Sequence, residues 1–224
     1  TGGVTFDQLI ESYYTQARGL IDGDVDLLLL ETTQDTRNLK AALIGIRRYM
    51  RESGLARPIM ISATIEPMGT MLAGQGVEAL YTSIEHAKPF AVGLNCATGP
   101  EFMTDHIRSM SDIAKTFVSC YPNAGLPDED GRYSETPETI AKKLERFADC
   151  GWINMVGGCC GTTAEHIGMI AQMTDGKKPR APRDYRRTQV SGIDFLAITD
   201  DLRPVLVGEV TNDLGSRKFK QLIA

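Results

Sequence analysis

Trp152-Ile153-Asn154-Met155-Val156-Gly157-Gly158-Cys159-Cys160-Gly161-Thr162-Thr163-Ala164 reads as a strand, a glycine-rich turn and the start of a helix. Trp152 to Gly157 is short and almost continuously apolar, which suits a strand covered on both faces. Glycines on either side of the cysteine pair free the backbone from strand geometry. A helical pattern then runs from about Ala164 to Met173. Strand, turn and helix in that order form one unit of a parallel sheet, because parallel neighbours need a crossover between them.

Working back from that unit, the pattern occurs four more times. Val25 to Thr32 is a strand-sized run, followed by a helix from about Asp35 to Ser53 with Leu39, Leu43, Ile46 and Met50 on one face and Gly54 as its stop. Pro58 to Ile65 is a strand, followed by a glycine-rich loop and a helix carrying Val77, Leu80, Tyr81 and Ile84. Phe90 to Ala97 leads into a helix with Phe102, Ile107 and Met110. Thr116 to Tyr121 leads through the long loop Pro122 to Glu135 into a helix capped by Thr136 with Pro137 at its first position. A further helix, opened by the capping-box pair Thr5 and Gln8, precedes them all.

Strand starts recur at roughly 30-residue intervals, the length of a βα repeat. The fold class is therefore α/β with a parallel sheet. Eight such units close a (β/α)8 barrel of about 250 residues, and about five are present here. A doubly wound open sheet has the same strand pattern and is the structural alternative. After Gly176 the character changes: Lys177 to Arg187 is basic, rich in Pro and Arg, and without apolar period. The expected division is residues 1–176 as a partial barrel, 177–202 as a linker, and 203–224 as the start of a second domain, whose first apolar run is Pro204 to Gly208.

With 224 residues, 42% hydrophobic and 24% charged, the chain has the composition of an ordinary globular protein. A net charge of −5 argues against nucleic acid or an anionic membrane as partner, since both need clustered Lys and Arg. The longest apolar run, Leu27 to Leu30, is far short of the ~20 residues that span a bilayer. Thr1-Gly2-Gly3 carries no initiator Met and no signal-peptide core, so a processed or excised cytoplasmic chain is expected. Five cysteines, an odd number at wide spacings, do not form a secreted disulfide framework.

Cys96 ends the third strand, and Cys159 and Cys160 end the fifth. Strand C-termini form the active face in both candidate folds, so three thiols can converge there. Three thiolates on a tetrahedral zinc leave one position open, as a catalytic site requires. The resulting formal charge of −1 makes a weak Lewis acid but a good anchor for a substrate thiol, held as a nucleophilic thiolate. Cys120 and Cys150 are expected to be small buried hydrophobes. His86, His106 and His166 fall in helical stretches, as surface or packing residues. The same glycine-rich turn can also be read as an anion cradle at a helix N-terminus.

Gly93-Leu94-Asn95-Cys96 and Gly157-Gly158-Cys159-Cys160-Gly161-Thr162-Thr163 resemble the two metal-ligand motifs of the homocysteine S-methyltransferases. The likeness runs from about residue 5 to 175 and includes Ser62 to Ile65, Gly69 to Gln75, and Tyr121-Pro122-Asn123-Ala124-Gly125. It implies a (β/α)8 barrel, Zn2+ held by Cys96, Cys159 and Cys160, and homocysteine as substrate. It also implies that Glu31 binds the substrate amino group, with Asn95 beside it orienting the loop. The tail, Arg203 to Asn212, is similar to the opening of the methyltetrahydrofolate-binding barrel of cobalamin-dependent methionine synthase. Val210 stands there for the usual Arg, and Asp213-Leu214 for Val-Thr. That likeness implies methylcobalamin as methyl donor, with cobalamin-binding and folate-binding domains as partners in a longer enzyme. Betaine- or S-methylmethionine-dependent transfer is the alternative, and so is a non-catalytic fragment with exposed sheet edges.

Overall fold

The five apolar runs between Val25 and Gly157 become the strands of one sheet, and the helical segments between them pack on its outer side, whereas the run Pro204 to Gly208 forms no strand. The computed structural model describes residues 3–208 and 215–223. The elements are α1 (Phe6–Asp22), β1 (Leu28–Thr33), α2 (Thr36–Ser53), β2 (Ile59–Ala63), α3 (Val77–Ile84), β3 (Ala91–Asn95), α4 (Pro100–Ile113), β4 (Phe117–Tyr121), α5 (Pro137–Asp149), β5 (Met155–Val156) and α6 (Ala164–Thr174). A hairpin of β6 (Thr188–Ser191) and β7 (Phe195–Ile198) follows, then α7 (Arg217–Ile223).

Strands β1 to β5 lie side by side in chain order, every pair parallel. A doubly wound sheet reverses its strand order at a switch point. This one does not, so the wall is that of a partial (β/α)8 barrel. The two middle strands, β2 and β3, are buried along their whole length. Backbone approach between β3 and β4 is so close that a Cβ on Gly93 would sit 2.1 Å from the Ser119 carbonyl oxygen. Only glycine fits there. Strand β5 is short because a side chain continues its ladder: Val118 N–H donates to Asn154 Oδ1 at 2.9 Å, and Asn154 N–H donates to the Val118 carbonyl at 2.8 Å. The capping box expected at Thr5 is formed, and the expected cap Thr136 also forms one with Thr139.

Residues 177–202, expected as a linker, lie folded against the barrel helices. Arg180 is only 4% exposed and has no carboxylate against it. Its guanidinium donates instead to the Ser111 carbonyl at 2.7 Å, the Ala114 carbonyl at 2.5 Å and the Thr116 carbonyl at 2.8 Å. The last carbonyls of a helix have no intrahelical partner and carry its negative dipole end. The C-terminal end of α4 thus supplies what an acid would supply. Tyr185 Oη donates to the Ile113 carbonyl at 2.7 Å, and Arg183 bonds Asp112 at 2.9 Å. Ser191 in the hairpin donates to the Ala79 carbonyl of α3 at 2.7 Å. Arg180 of this basic run caps α4, while Lys177 bonds Glu145 at 2.9 Å and Asp149 at 2.6 Å on α5.

Beyond Arg203, Leu206 and Val207 are exposed. Residues 209–214, which carry most of the tail motif, lie outside the described residues. Among the described residues no helix is long and apolar enough to cross a membrane.

Replacing Arg180 with Met should orphan several buried carbonyls and cost about 2–4 kcal/mol. Urea denaturation followed by circular dichroism would read this. A change below about 0.5 kcal/mol, the scale of an indifferent surface substitution, would show that the 177–187 segment does not stabilise the barrel.

Candidate metal centre at the strand ends

Three backbone segments meet at the C-terminal edge of the sheet, and the middle one serves as template for the other two. After β3 the chain turns sharply: Cys96 and Ala97 both have φ of +59°, left-handed geometry that costs a non-glycine residue energy. Cys96 N–H donates to the Tyr121 carbonyl at 3.0 Å, and Asn123 N–H donates to the Thr98 carbonyl at 3.1 Å. On its other side the same Tyr121–Ala124 segment holds the cysteine pair. Cys159 N–H donates to the Pro122 carbonyl at 2.8 Å, Cys160 N–H to Asn123 Oδ1 at 3.1 Å, and Ala124 N–H to the Cys160 carbonyl at 2.9 Å.

The thiols converge as a result. Cys96 Sγ lies 3.6 Å from Cys160 Sγ, Cys159 Sγ lies 4.0 Å from Cys160 Sγ, and all three fall within 4.8 Å of one another. Sulfurs bonded at about 2.3 Å to a tetrahedral zinc stand about 3.8 Å apart. The observed separations bracket that value, and they are far too long for a disulfide bond of about 2.05 Å. Burial, reinforced by the charge of Cys96, pushes the Cys159 thiol up to about 11. A bound divalent cation would favour the thiolate form of Cys159. The donor set and spacing therefore fit zinc. This is the one such group of His, Cys, Asp or Glu side chains found among the described residues.

Asn95, fully buried at the end of β3, uses its whole amide on this site. Its Oδ1 accepts from Thr32 N–H at 3.1 Å and from Ser62 Oγ at 2.7 Å. Its Nδ2 donates to Thr32 Oγ1 at 2.8 Å and toward Cys159 Sγ at 3.9 Å. One side chain thereby ties β1, β2, β3 and the cysteine turn together. Thr32 needs the tie, since its φ is +56° and the β1–β2 register shifts between Leu30 and Thr33. Glu31, one residue earlier, is exposed and lines a cleft between β1 and α2. Its charge adds a minor push to the Tyr121 phenol, which burial chiefly raises. Glu31 thus stands at the rim of the site rather than among the thiols.

The other expectations divide. Cys120 is fully buried in β4, as expected, and burial drives its thiol upward. Cys150 is exposed, against expectation. It caps α5 just before Gly151, whose φ of +66° turns the chain at the surface, so no core faces it. His166 is a packing residue, buried with Nδ1 at Thr163 N–H (3.1 Å) and Nε2 at the Glu135 carbonyl (2.9 Å). N–H groups of Cys159, Cys160, Thr162 and Thr163 all donate within the protein, which leaves the turn poorly equipped to cradle an anion.

Sequence reasoning gave no role to Ser62, Thr32 or Asn123, whose partners are distant in the chain. It also passed over Tyr133, in the loop after β4. That loop is ordered: Pro127 and Tyr133 form an antiparallel bridge, and Asp128 Oδ1 accepts from Arg132 N–H at 2.8 Å. Glu135 N–H then donates to the Ala124 carbonyl at 2.9 Å, closing its base.

The model of the homocysteine S-methyltransferase family matches residues 1–174. The chain belongs to that family. Among solved structures it is similar to the homocysteine methyltransferase MmuM from Escherichia coli. The oxidized form matches with a TM-score of 0.58 and 19% identity, over 73% of this chain and 52% of that one. The apo form matches with a TM-score of 0.57 and 20% identity, over 73% of this chain and 57% of that one. For the metallated form the values are 0.55 and 18%, over 73% and 52%. The chain spans about half the length of these relatives, and at such identities the likeness concerns the fold.

If Asn95 is the hub of the site, Asn95→Ala should cost about 2–4 kcal/mol by stranding several buried groups. Ser62→Ala, which removes one bond, should cost about 1 kcal/mol. Equal losses in parallel urea titrations would show that the amide is not a shared anchor.

Proposed function

We propose that this chain forms the thiol-activating centre of a homocysteine methyltransferase, with Zn2+ bound by Cys96, Cys159 and Cys160. The observation that carries the reading is the sulfur spacing, 3.6 and 4.0 Å about Cys160, close to the edge of a tetrahedron around zinc. Zinc, when bound, would keep the homocysteine sulfur as a thiolate at neutral pH.

The residues of the chain do the rest. With Cys96, Cys159 and Cys160 as its ligands, a tetrahedral zinc would have one position left for the substrate sulfur. Asn95 holds Cys159 and the Thr32 turn in register. Glu31, at the rim, accepts the substrate ammonium group, so the amino acid is gripped at its charged end while its sulfur reaches the thiols. The substrate thiol releases its proton on binding. Its sulfur then attacks the methyl carbon: a C–S bond forms from a sulfur lone pair, and the bond from methyl to donor breaks with its electrons leaving on the donor. Methionine is the product.

The tail likeness supports methylcobalamin as donor, supplied within a methionine synthase by separate cobalamin- and folate-binding domains. The same likeness supports residues 203–224 as the start of the folate-binding barrel. Free thiols and the lack of a membrane-spanning helix among the described residues fit a reducing, cytoplasmic setting.

Metal analysis of the reduced, zinc-loaded and desalted chain should find about one zinc per chain, as the single three-thiol site holds one ion. Cys96→Ser should lower zinc affinity at least tenfold, a conservative figure for losing a ligand when outer partners alone are worth that much. Unchanged occupancy in the variant would remove Cys96 from the ligand set. In calorimetry on the zinc-loaded chain, Glu31→Gln should weaken homocysteine binding by about tenfold, the worth of one charge-assisted hydrogen bond. Identical affinities would place the ammonium group elsewhere.

A further inference from the structure

We propose that a basic cleft at the opposite end of the sheet from the thiols binds a phosphate group, through Lys88, Lys115 and Arg187. The cleft has a volume of about 600 Å³ and lies between the end of α3, the chain entering β3 and β4, and the start of the β6–β7 hairpin. Lys88 and Lys115 stand just before β3 and β4, whereas the thiols follow β3 and β5. A ligand held here is therefore independent of any metal at the thiols.

The lining is unbalanced in charge. Lys88, Lys115 and Arg187 contribute three cations, and Glu85 is the one carboxylate beside them. Lys115 Nζ takes that carboxylate at 2.5 Å. Lys88 and Arg187 form no ion pair among the described residues, so two positive charges stay uncompensated in one concave space. Cations gathered in a cleft repel one another and raise the local concentration of anions. The fold enforces the gathering. Tyr185 receives Lys115 Nζ at 4.7 Å and Arg187 Cζ at 5.1 Å from its ring centroid. The ring is itself fixed, since Tyr185 Oη donates to the Ile113 carbonyl at 2.7 Å. Contact with a ring face orients a cation without neutralising it. Lys88 is held against its preference, with φ of +47° in the left-handed region that favours glycine. Glycine would make that turn with less strain, but it would bring no charge to the cleft.

The charge pattern selects the ligand. A phosphate monoester carries a charge of about −1.5 to −2 at neutral pH and offers three acceptor oxygens, which suits two unpaired cations; a carboxylate suits one. Arg187 offers the planar fork that matches phosphate oxygens, and Lys88 a mobile point charge. Gln189 lines the same wall and adds a neutral donor. The cleft falls within the roughly 300–1,000 Å³ of small-molecule sites, so the organic part of a phosphate ester has room. Free phosphate and a phosphate ester share this recognition chemistry, and their relative affinities tell them apart.

Backbone amide NMR of the reduced, metal-free chain tests the site, with inorganic phosphate and adenosine monophosphate titrated separately at constant ionic strength. Both should give saturable shifts centred on residues 85–89, 115–116 and 187–189. A tighter curve for the nucleotide assigns the cleft to a phosphate ester, and equal curves assign it to free phosphate. Lys88→Gln and Arg187→Gln should each weaken phosphate binding about tenfold, the worth of one charge-assisted hydrogen bond. Both side chains are exposed, so the variants should melt like the parent. Phosphate shifts that fail to saturate by about 10 mM, or that centre elsewhere, would overturn the proposal. So would undiminished binding in the Lys88→Gln/Arg187→Gln double variant, or adenosine binding as tightly as its monophosphate.

Discussion

Three sulfur atoms within 4.8 Å of one another are an arrangement a chain adopts only under constraint. Polarisable as they are, thiols gain little from crowding, and as thiolates they repel. The surrounding backbone imposes the crowding. Cys96 is held in left-handed geometry, Cys159 and Cys160 share one glycine-flanked turn, and both segments are pinned to the chain that follows β4. Strain of this kind persists where the surroundings over-determine it. The residues around the site serve that purpose: glycines where atoms come too close, and two buried asparagines where backbone polar groups would otherwise lack partners.

Those asparagines divide the labour. Asn95 works within the barrel wall and links the ends of three strands to Cys159. Asn123 works above it and joins the turn after β3 to the turn after β5. Asn95 uses both donor and acceptor of its amide, whereas Asn123 accepts from Cys160 N–H through its side chain and donates to the Thr98 carbonyl through its backbone N–H. A carboxylate in either position would face neighbouring sulfurs with like charge. An apolar residue would leave buried groups unpaired.

The sheet and the three thiols were legible in the sequence because both are written locally. Apolar runs at regular intervals mark strands, and a cysteine at the end of such a run marks a position on the active face. What stayed hidden is written at a distance. Asn95 and Thr32 are 63 residues apart, and nothing near either announces the bond between them. Cys150 was misread because residue type outweighed position: a helix end before a left-handed glycine has no core to enter. The packing of the run 177–187 was hidden for the opposite reason. Its charges and prolines look like a solvated tether, whereas Arg180 lies on the carbonyl end of α4 and Lys177 on two carboxylates of α5. Tyr133 was passed over because its signal is relational, an aromatic side chain matched to a bare glycine 28 residues later.

Arg180 in its collar of carbonyl oxygens also governs geometry further along the chain. An unfastened 26-residue tether would let its far end wander over roughly 28 Å. Stitched to the end of α4 at Arg180 and Tyr185, and to α3 at Ser191, the same stretch behaves as a bracket. Whatever is joined at Arg203 then inherits a bearing relative to the mouth of the barrel.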